Sequence, residues 1–142
     1  MRLGALGGTF DPPHLGHLLL AEQAREQLQL DKVLFIPAGD PWRKAGREIA
    51  PAAQRLAMTR LAIEGNAAFE VDGREIARDG PTYTVETLAE LRAELGAGDE
   101  LVFIVGQDAL ADLPNWRNPG GIAANSDIYI GVKRIQANPR CW

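Results

Sequence analysis

A single cysteine, Cys141, stands in 142 residues, which excludes an internal disulfide framework and a cysteine zinc cluster. Long apolar runs are missing too. None approaches the ~18–20 residues of a membrane span, and the opening MRLGALGGTF lacks the apolar core and cleavage site of a secretory leader. Neither sign of charge dominates: 15 Lys and Arg against 19 Asp and Glu leave a net charge of −4. No global field therefore draws nucleic acid or an anionic membrane, and an anionic ligand must be held locally. Histidine is scarce, with His14 and His17 alone in the chain. From these absences we expect a soluble, cytoplasmic protein with neither a nucleic-acid nor a membrane partner.

The chain does contain a globular composition, 46% hydrophobic and 24% charged, with 15 Gly and 9 Pro, too few for a low-complexity polymer. Its length suits a single domain over residues 1–142, and no repeat or linker divides it. Short apolar runs alternate with amphipathic stretches, the pattern of parallel strands joined by crossover helices. Strands are expected at 2–7, 32–38, 69–76, 100–106 and 127–134. Helices are expected at 16–30 (Leu20, Ala24 and Leu28 inward), 51–63 (Ala57 and Leu61 on one face), 84–95 (Val85, Leu88, Leu91 and Leu95 inward) and, briefly, 108–113. Residues 39–50 read as an exposed loop. The fold class is α/β: a Rossmann-like open parallel sheet of about five strands with flanking helices.

Chemistry concentrates in Gly7-Gly8-Thr9-Phe10-Asp11-Pro12-Pro13-His14-Leu15-Gly16-His17, between the first strand and the first helix. A helix N-terminus presents unpaired N–H groups and about half a positive charge, so a phosphate can dock there whatever the net charge. The segment is neither GxxxxGK[ST] nor GxGxxG, which removes the main support for a P-loop kinase or an ordinary dinucleotide oxidoreductase. His14 and His17, three apart beside a helical turn, can turn both rings toward one ligand, and each ring can donate to a phosphate oxygen. The alternative is structural, one ring capping the helix and the other filling a niche. No third ligand at zinc-site spacing accompanies them, so no metal-binding residue is assigned.

GGTFDPPHLGH closely resembles the signature of the bacterial nicotinate-nucleotide adenylyltransferases, in the nucleotidylyl-transferase superfamily with the HxGH motif. DKVLFIPAGDPWRK, EIARDGPTYTVETL and FIVGQDALADLPNW resemble further segments of that family, so the likeness covers roughly residues 1–134. It implies adenylyl transfer from ATP to nicotinate mononucleotide, giving nicotinate adenine dinucleotide and pyrophosphate, with Mg²⁺ held mainly through the ATP phosphates.

By that resemblance His14, His17 and Lys44 are the catalytic residues. ATP is bound by Gly7, Gly8, Thr9, Phe10, His14, His17, Gly106 and Asp108, and the nicotinate nucleotide by Thr82, Tyr83, Thr84, Asp108 and Trp116. Viewed alone, Lys44 also reads as a solvated loop lysine with Arg43 beside it, 82–84 and Asp108 as helix caps, and Trp116 as local packing. The family continues for about fifty residues beyond this sequence, with an ISSTxIR-like motif absent here, so the chain reads as truncated. An uncovered sheet surface would favour association of copies into a homo-oligomer. Two other readings stay open: a non-catalytic nucleotide-binding remnant, and an adenylyltransferase for another acceptor, nicotinamide mononucleotide or phosphopantetheine.

Overall fold

A computed structural model describes residues 1–39, 49–78, 83–106, 116–130 and 133–135. Three strands form its centre: β1 (Arg2–Gly8), β2 (Lys32–Pro37) and β4 (Glu100–Val105), with β3 (Phe69–Val71) and β5 (Asp127–Ile130) outside them. The central strands carry four or five consecutive buried residues each, as strands covered on both faces must. The sheet order is β3-β2-β1-β4-β5-β6, with β1 to β5 mutually parallel. The sixth member, β6 (Lys133–Ile135), pairs antiparallel with β5.

Helices cover both faces. On one, α1 (Leu15–Leu28) presents Ala21, Ala24 and Leu28, and the fully buried alanines let the helix lie close to the sheet beside Leu6, Val33, Phe35, Ile104 and Tyr129. On this face α2 (Ala52–Ile63) adds Ile63. On the other, α4 (Thr84–Glu94) and α5 (Pro119–Asn125) bury Leu88, Leu91 and Ile122 against Leu3, Ala5, Phe103 and Ile128, with Val85 and Leu95 packed alongside as their spacing predicts. The chain runs outward from β1 to β3, then returns to start β4 on the other side of β1. The order therefore reverses between β1 and β4, and open α/β sheets bind ligands outside the carboxyl ends of the strands flanking such a reversal.

Several expectations need correction. The strand expected over 69–76 ends at Val71, because the Asp72 side chain accepts from the Arg74 amide at 3.0 Å and turns the backbone into α3 (Arg74–Ala77). The strand expected over 127–134 is two strands: β5 ends at Ile130, and β6 pairs antiparallel with it, Ile130 facing Lys133. Ala57 and Leu61 are exposed, Leu61 by 69%, and the inward face of α2 is Arg55, Thr59 and Ile63 instead. No element was expected where α5 lies. It starts on Asn118, whose side chain accepts from the Gly121 amide, followed by Pro119 in its first turn, a short capped start with little apolar periodicity to reveal it. The short helix expected over 108–113 lies outside the described residues.

Candidate nucleotide site

Gly7 and Gly8 end β1, and the register Leu6↔Ile104 sets Gly8 level with Gly106, just past β4. Thr9 and Phe10 follow. Phe10 takes a left-handed backbone (φ 50°), sparsely populated for a residue with a side chain, and its ring is buried, 5.9 Å from Phe35. The chain then enters α1 through His14, its N-cap.

The two histidines close this helix start reciprocally. His14 Nδ1 accepts from the Gly16 amide at 3.1 Å, and His17 Nδ1 accepts from the His14 amide at 3.0 Å. This is a capping box built of imidazoles in place of the usual hydroxyl and carboxylate. The rings stack with centroids 3.8 Å apart, and His17 meets the Phe10 ring edge-on at 4.9 Å. Gly16 is required between them: a Cβ there would fall 2.8 Å from His14 Cε1. Because each Nδ1 accepts, each neutral ring must carry its proton on Nε2, the tautomer inferred from the hydrogen-bond network. Burial, with the nearby His14 second, pushes the His17 pKa down to about 4. At neutral pH His17 is an uncharged Nε2–H donor. The structural reading of the pair thus holds for one nitrogen of each ring: Nδ1 holds the helix start.

Across the reversal, on the α4 face, Tyr83 is the N-cap of α4 and Thr84 its first residue. Arg117 lies over the Tyr83 ring at 4.5 Å. Trp116 packs against the core on that face, its ring 6.1 Å from Phe103. Sequence position places Gly7, Gly8, Thr9, Phe10, His14 and His17 in one continuous turn, and the structure keeps them together, while Gly106, Tyr83, Thr84 and Trp116 lie beyond β1. Arg43, Lys44, Thr82 and Asp108 lie outside the described residues. Among the described residues no group of three or more His, Cys, Asp or Glu could hold a metal ion, and no helix is long and apolar enough to cross a membrane.

The description "cytidylyltransferase-like" matches residues 5–141. The chain belongs to the cytidylyltransferase-like family. It is 53% identical over 132 residues to a probable nicotinate-nucleotide adenylyltransferase of Thermomicrobium roseum, covering 93% of this chain and 61% of that one. A protein of the same description from Dehalococcoides mccartyi strain 195 is 48% identical over 140 residues, 98% of this chain and 68% of that one. The chain thus spans about three fifths to two thirds of these curated relatives. Two solved structures share the fold. A putative nicotinate-nucleotide adenylyltransferase from Vibrio parahaemolyticus matches with TM-score 0.74 at 18% identity, over 92% of this chain and 72% of that one. The Plasmodium falciparum nicotinic acid mononucleotide adenylyltransferase complexed with NaAD matches with TM-score 0.77 at 16% identity, over 91% and 63%.

One residue of this cytidylyltransferase-like site went unnoticed in the sequence. Arg55, 1% exposed, points from α2 into the turn after β1 and, among the described residues, donates to the backbone carbonyls of Thr9 (3.0 Å), Ala38 (2.6 Å), Gly39 (2.8 Å) and Ala50 (2.9 Å). The Ala50 amide in turn donates to the Asp11 carboxylate at 3.1 Å. Gly39 has no room for a side chain, since a Cβ would fall 2.3 Å from the Glu75 carbonyl oxygen. A lone arginine at helical spacing reads as solvated, and the signal that could have exposed it, its place in line with Thr59 and Ile63, is weak.

Proposed function

We propose that the chain carries the nucleotide site of a nicotinate-nucleotide adenylyltransferase, transferring the adenylyl group of ATP to nicotinate mononucleotide. One observation carries the reading: two imidazoles, each accepting a backbone N–H through Nδ1, stand with Nε2 opposite at a helix start beside the sheet's reversal point. The names of the relatives supply the acceptor.

In this reaction an oxygen of the mononucleotide 5′-phosphate attacks the α-phosphorus of ATP, the bond to the bridging oxygen breaks, and pyrophosphate leaves with that oxygen. The substrate brings its own nucleophile, so the protein must align the two phosphates and stabilise the charge that develops between them. His14 and His17 donate from Nε2 to oxygens of the transferring and leaving groups. Backbone at Gly7, Gly8, Thr9 and Phe10 lines the nucleotide with Gly106 past the end of β4, and the family resemblance adds Asp108 as an ATP contact and Lys44 as an ammonium for a phosphate. Tyr83 and Thr84, at the start of α4, bind the nicotinate nucleotide, with Trp116 stacked on the pyridine ring, and the family resemblance adds Thr82 and Asp108 to the same role. Mg²⁺ would be held mainly through the ATP phosphates and would neutralise part of their charge. We place the reaction in the cytoplasm.

The test is pyrophosphate release with Mg²⁺, ATP and nicotinate mononucleotide, with nicotinamide mononucleotide and phosphopantetheine as control acceptors. Release that depends on the nicotinate form is expected. Release with phosphopantetheine alone would overturn the acceptor, and a folded protein that binds ATP without releasing pyrophosphate would make it a nucleotide-binding remnant.

A further inference from the structure

We propose that Arg55 is a positioning residue for the histidine pair, its guanidinium holding the turn after β1 in the shape that seats Phe10 against His17. The inference rests on the nucleotide site proposed above and adds a residue of α2 to it.

The path is short. Among the described residues, Arg55 donates to Ala38 and Gly39 just past β2, to Ala50 before α2, and to Thr9, adjacent to Phe10. Asp11, on the other side of Phe10, is tied to the Ala50 amide. Both neighbours of Phe10 are thus anchored to the same point of the chain. That is the arrangement needed to hold a non-glycine residue at φ 50°, which persists only where surrounding contacts over-determine it. Phe10 in turn walls the inner side of His17. A guanidinium suits the task because its five N–H groups leave in a fixed planar fan and can reach carbonyls of separate segments, whereas an ammonium offers one point of charge. The Thr9 carbonyl is the acceptor that links Arg55 to the turn, and through it to the nucleotide.

The experiment compares the parent protein with Arg55→Lys by ring ¹H–¹⁵N NMR of His17 in the ligand-free state, with His14 followed in the same spectra, and by pyrophosphate-release kinetics. A folded Arg55→Lys is expected to show the His17 midpoint raised from about 4 toward the ordinary ~6.5. Its kcat should fall about 10- to 100-fold, as small misplacements of aligned groups do, with KM for the mononucleotide unchanged. A His17 midpoint equal to the parent's overturns the proposal whatever the kinetics show. If the parent itself releases no pyrophosphate, the functional reading fails while the ligand-free titration still decides Arg55. Should Arg55→Lys not fold, Phe10→Leu tests the next link: a raised midpoint supports the relay, and an unchanged one overturns it.

Discussion

The imidazoles of His14 and His17 lie face to face, centroids 3.8 Å apart and planes tilted by 30°, each accepting a backbone N–H through Nδ1. Neither ring can rotate to offer Nδ1 to a ligand without breaking a helix-capping bond. The capping duty therefore fixes which nitrogen faces outward, and the same two bonds that begin α1 prepare its ligand donors. A histidine pair used this way is a binding element that needs no ordering when substrate arrives, which saves the entropy of fixing two side chains.

Substitution at position 14 separates the two duties. Asparagine is among the best N-caps, so His14→Asn is expected to keep the helix start while removing the Nε2 donor. Its thermal midpoint should stay near the parent's while pyrophosphate release falls about 10²- to 10³-fold, the usual effect of one lost transition-state donor. His14→Ala should lose the same activity and about 1 kcal/mol of stability as well. His17→Ala should likewise lower kcat and leave the fold intact by circular dichroism. Unchanged turnover in either alanine variant would remove the assigned role.

Stability should depend on pH through the same pair. The His17 pKa is about 4 in the folded protein, against 6.5 when exposed, so between those values the unfolded chain binds more protons than the native one. Stability then rises with pH across that window: this contribution is fully present above about 6.5 and declines as pH falls toward 4. His17→Gln, which does not titrate, should flatten the profile between pH 4 and 6.5 in denaturant melts. An equal slope in both proteins would show that His17 is not protected in solution.

A second network governs a lower window. Arg74 bridges Asp72 at 2.9 Å and Glu94 at 2.6 Å, joining the turn after β3 to α4. Burial raises the Asp72 carboxyl, but the hydrogen bonds and charge of Arg74 outweigh it and hold the pKa below its ordinary 3.8. A carboxylate depressed in the native state stabilises above its unfolded pKa and loses that contribution as pH falls through the folded one. Arg74→Met is therefore expected to cost about 1–2 kcal/mol at pH 7, discounted because Glu94 is exposed. It should alter the acid profile below about pH 4 while leaving the slope from His17 untouched.

How far the sequence reveals all this depends on the kind of contact. The runs KVLFIP and ELVFIV read as buried strands because both faces are covered, and the pattern needs no knowledge of neighbours. The α4 face was legible because Leu88 and Leu91 are apolar and face an apolar sheet. The α2 face was misread because its buried positions include a guanidinium and the Thr59 hydroxyl, which donates to the Arg55 carbonyl. Such residues are inside only because carbonyls up to 46 residues away receive them, and periodicity carries no trace of that pairing. The brevity of β3 followed from one local side-chain bond at Asp72, and the antiparallel pairing of β6 with β5 is a contact that the run itself does not announce. In the site, two histidines in one glycine-proline turn stood out by rarity, yet their Nδ1 roles required the structure.

Trp116 offers the sharpest separation of packing from binding. Its ring is half-buried and packed on the core beside Phe103, so Trp116→Ala would remove core contacts along with any stacking surface, and a loss of activity in it would be ambiguous. Trp116→Phe keeps an aromatic ring on the core and gives up the larger indole face. An aromatic pair contributes about 0.5–1.5 kcal/mol beyond area, so losing most of the stacked face should raise KM for nicotinate mononucleotide about 3- to 10-fold. KM for ATP should hold, because the histidine pair and the turn after β1 pack on the opposite face of the sheet. A rise in both constants would mean that Trp116 supports the whole sheet edge, and an unchanged mononucleotide KM would leave it a packing residue beside Phe103.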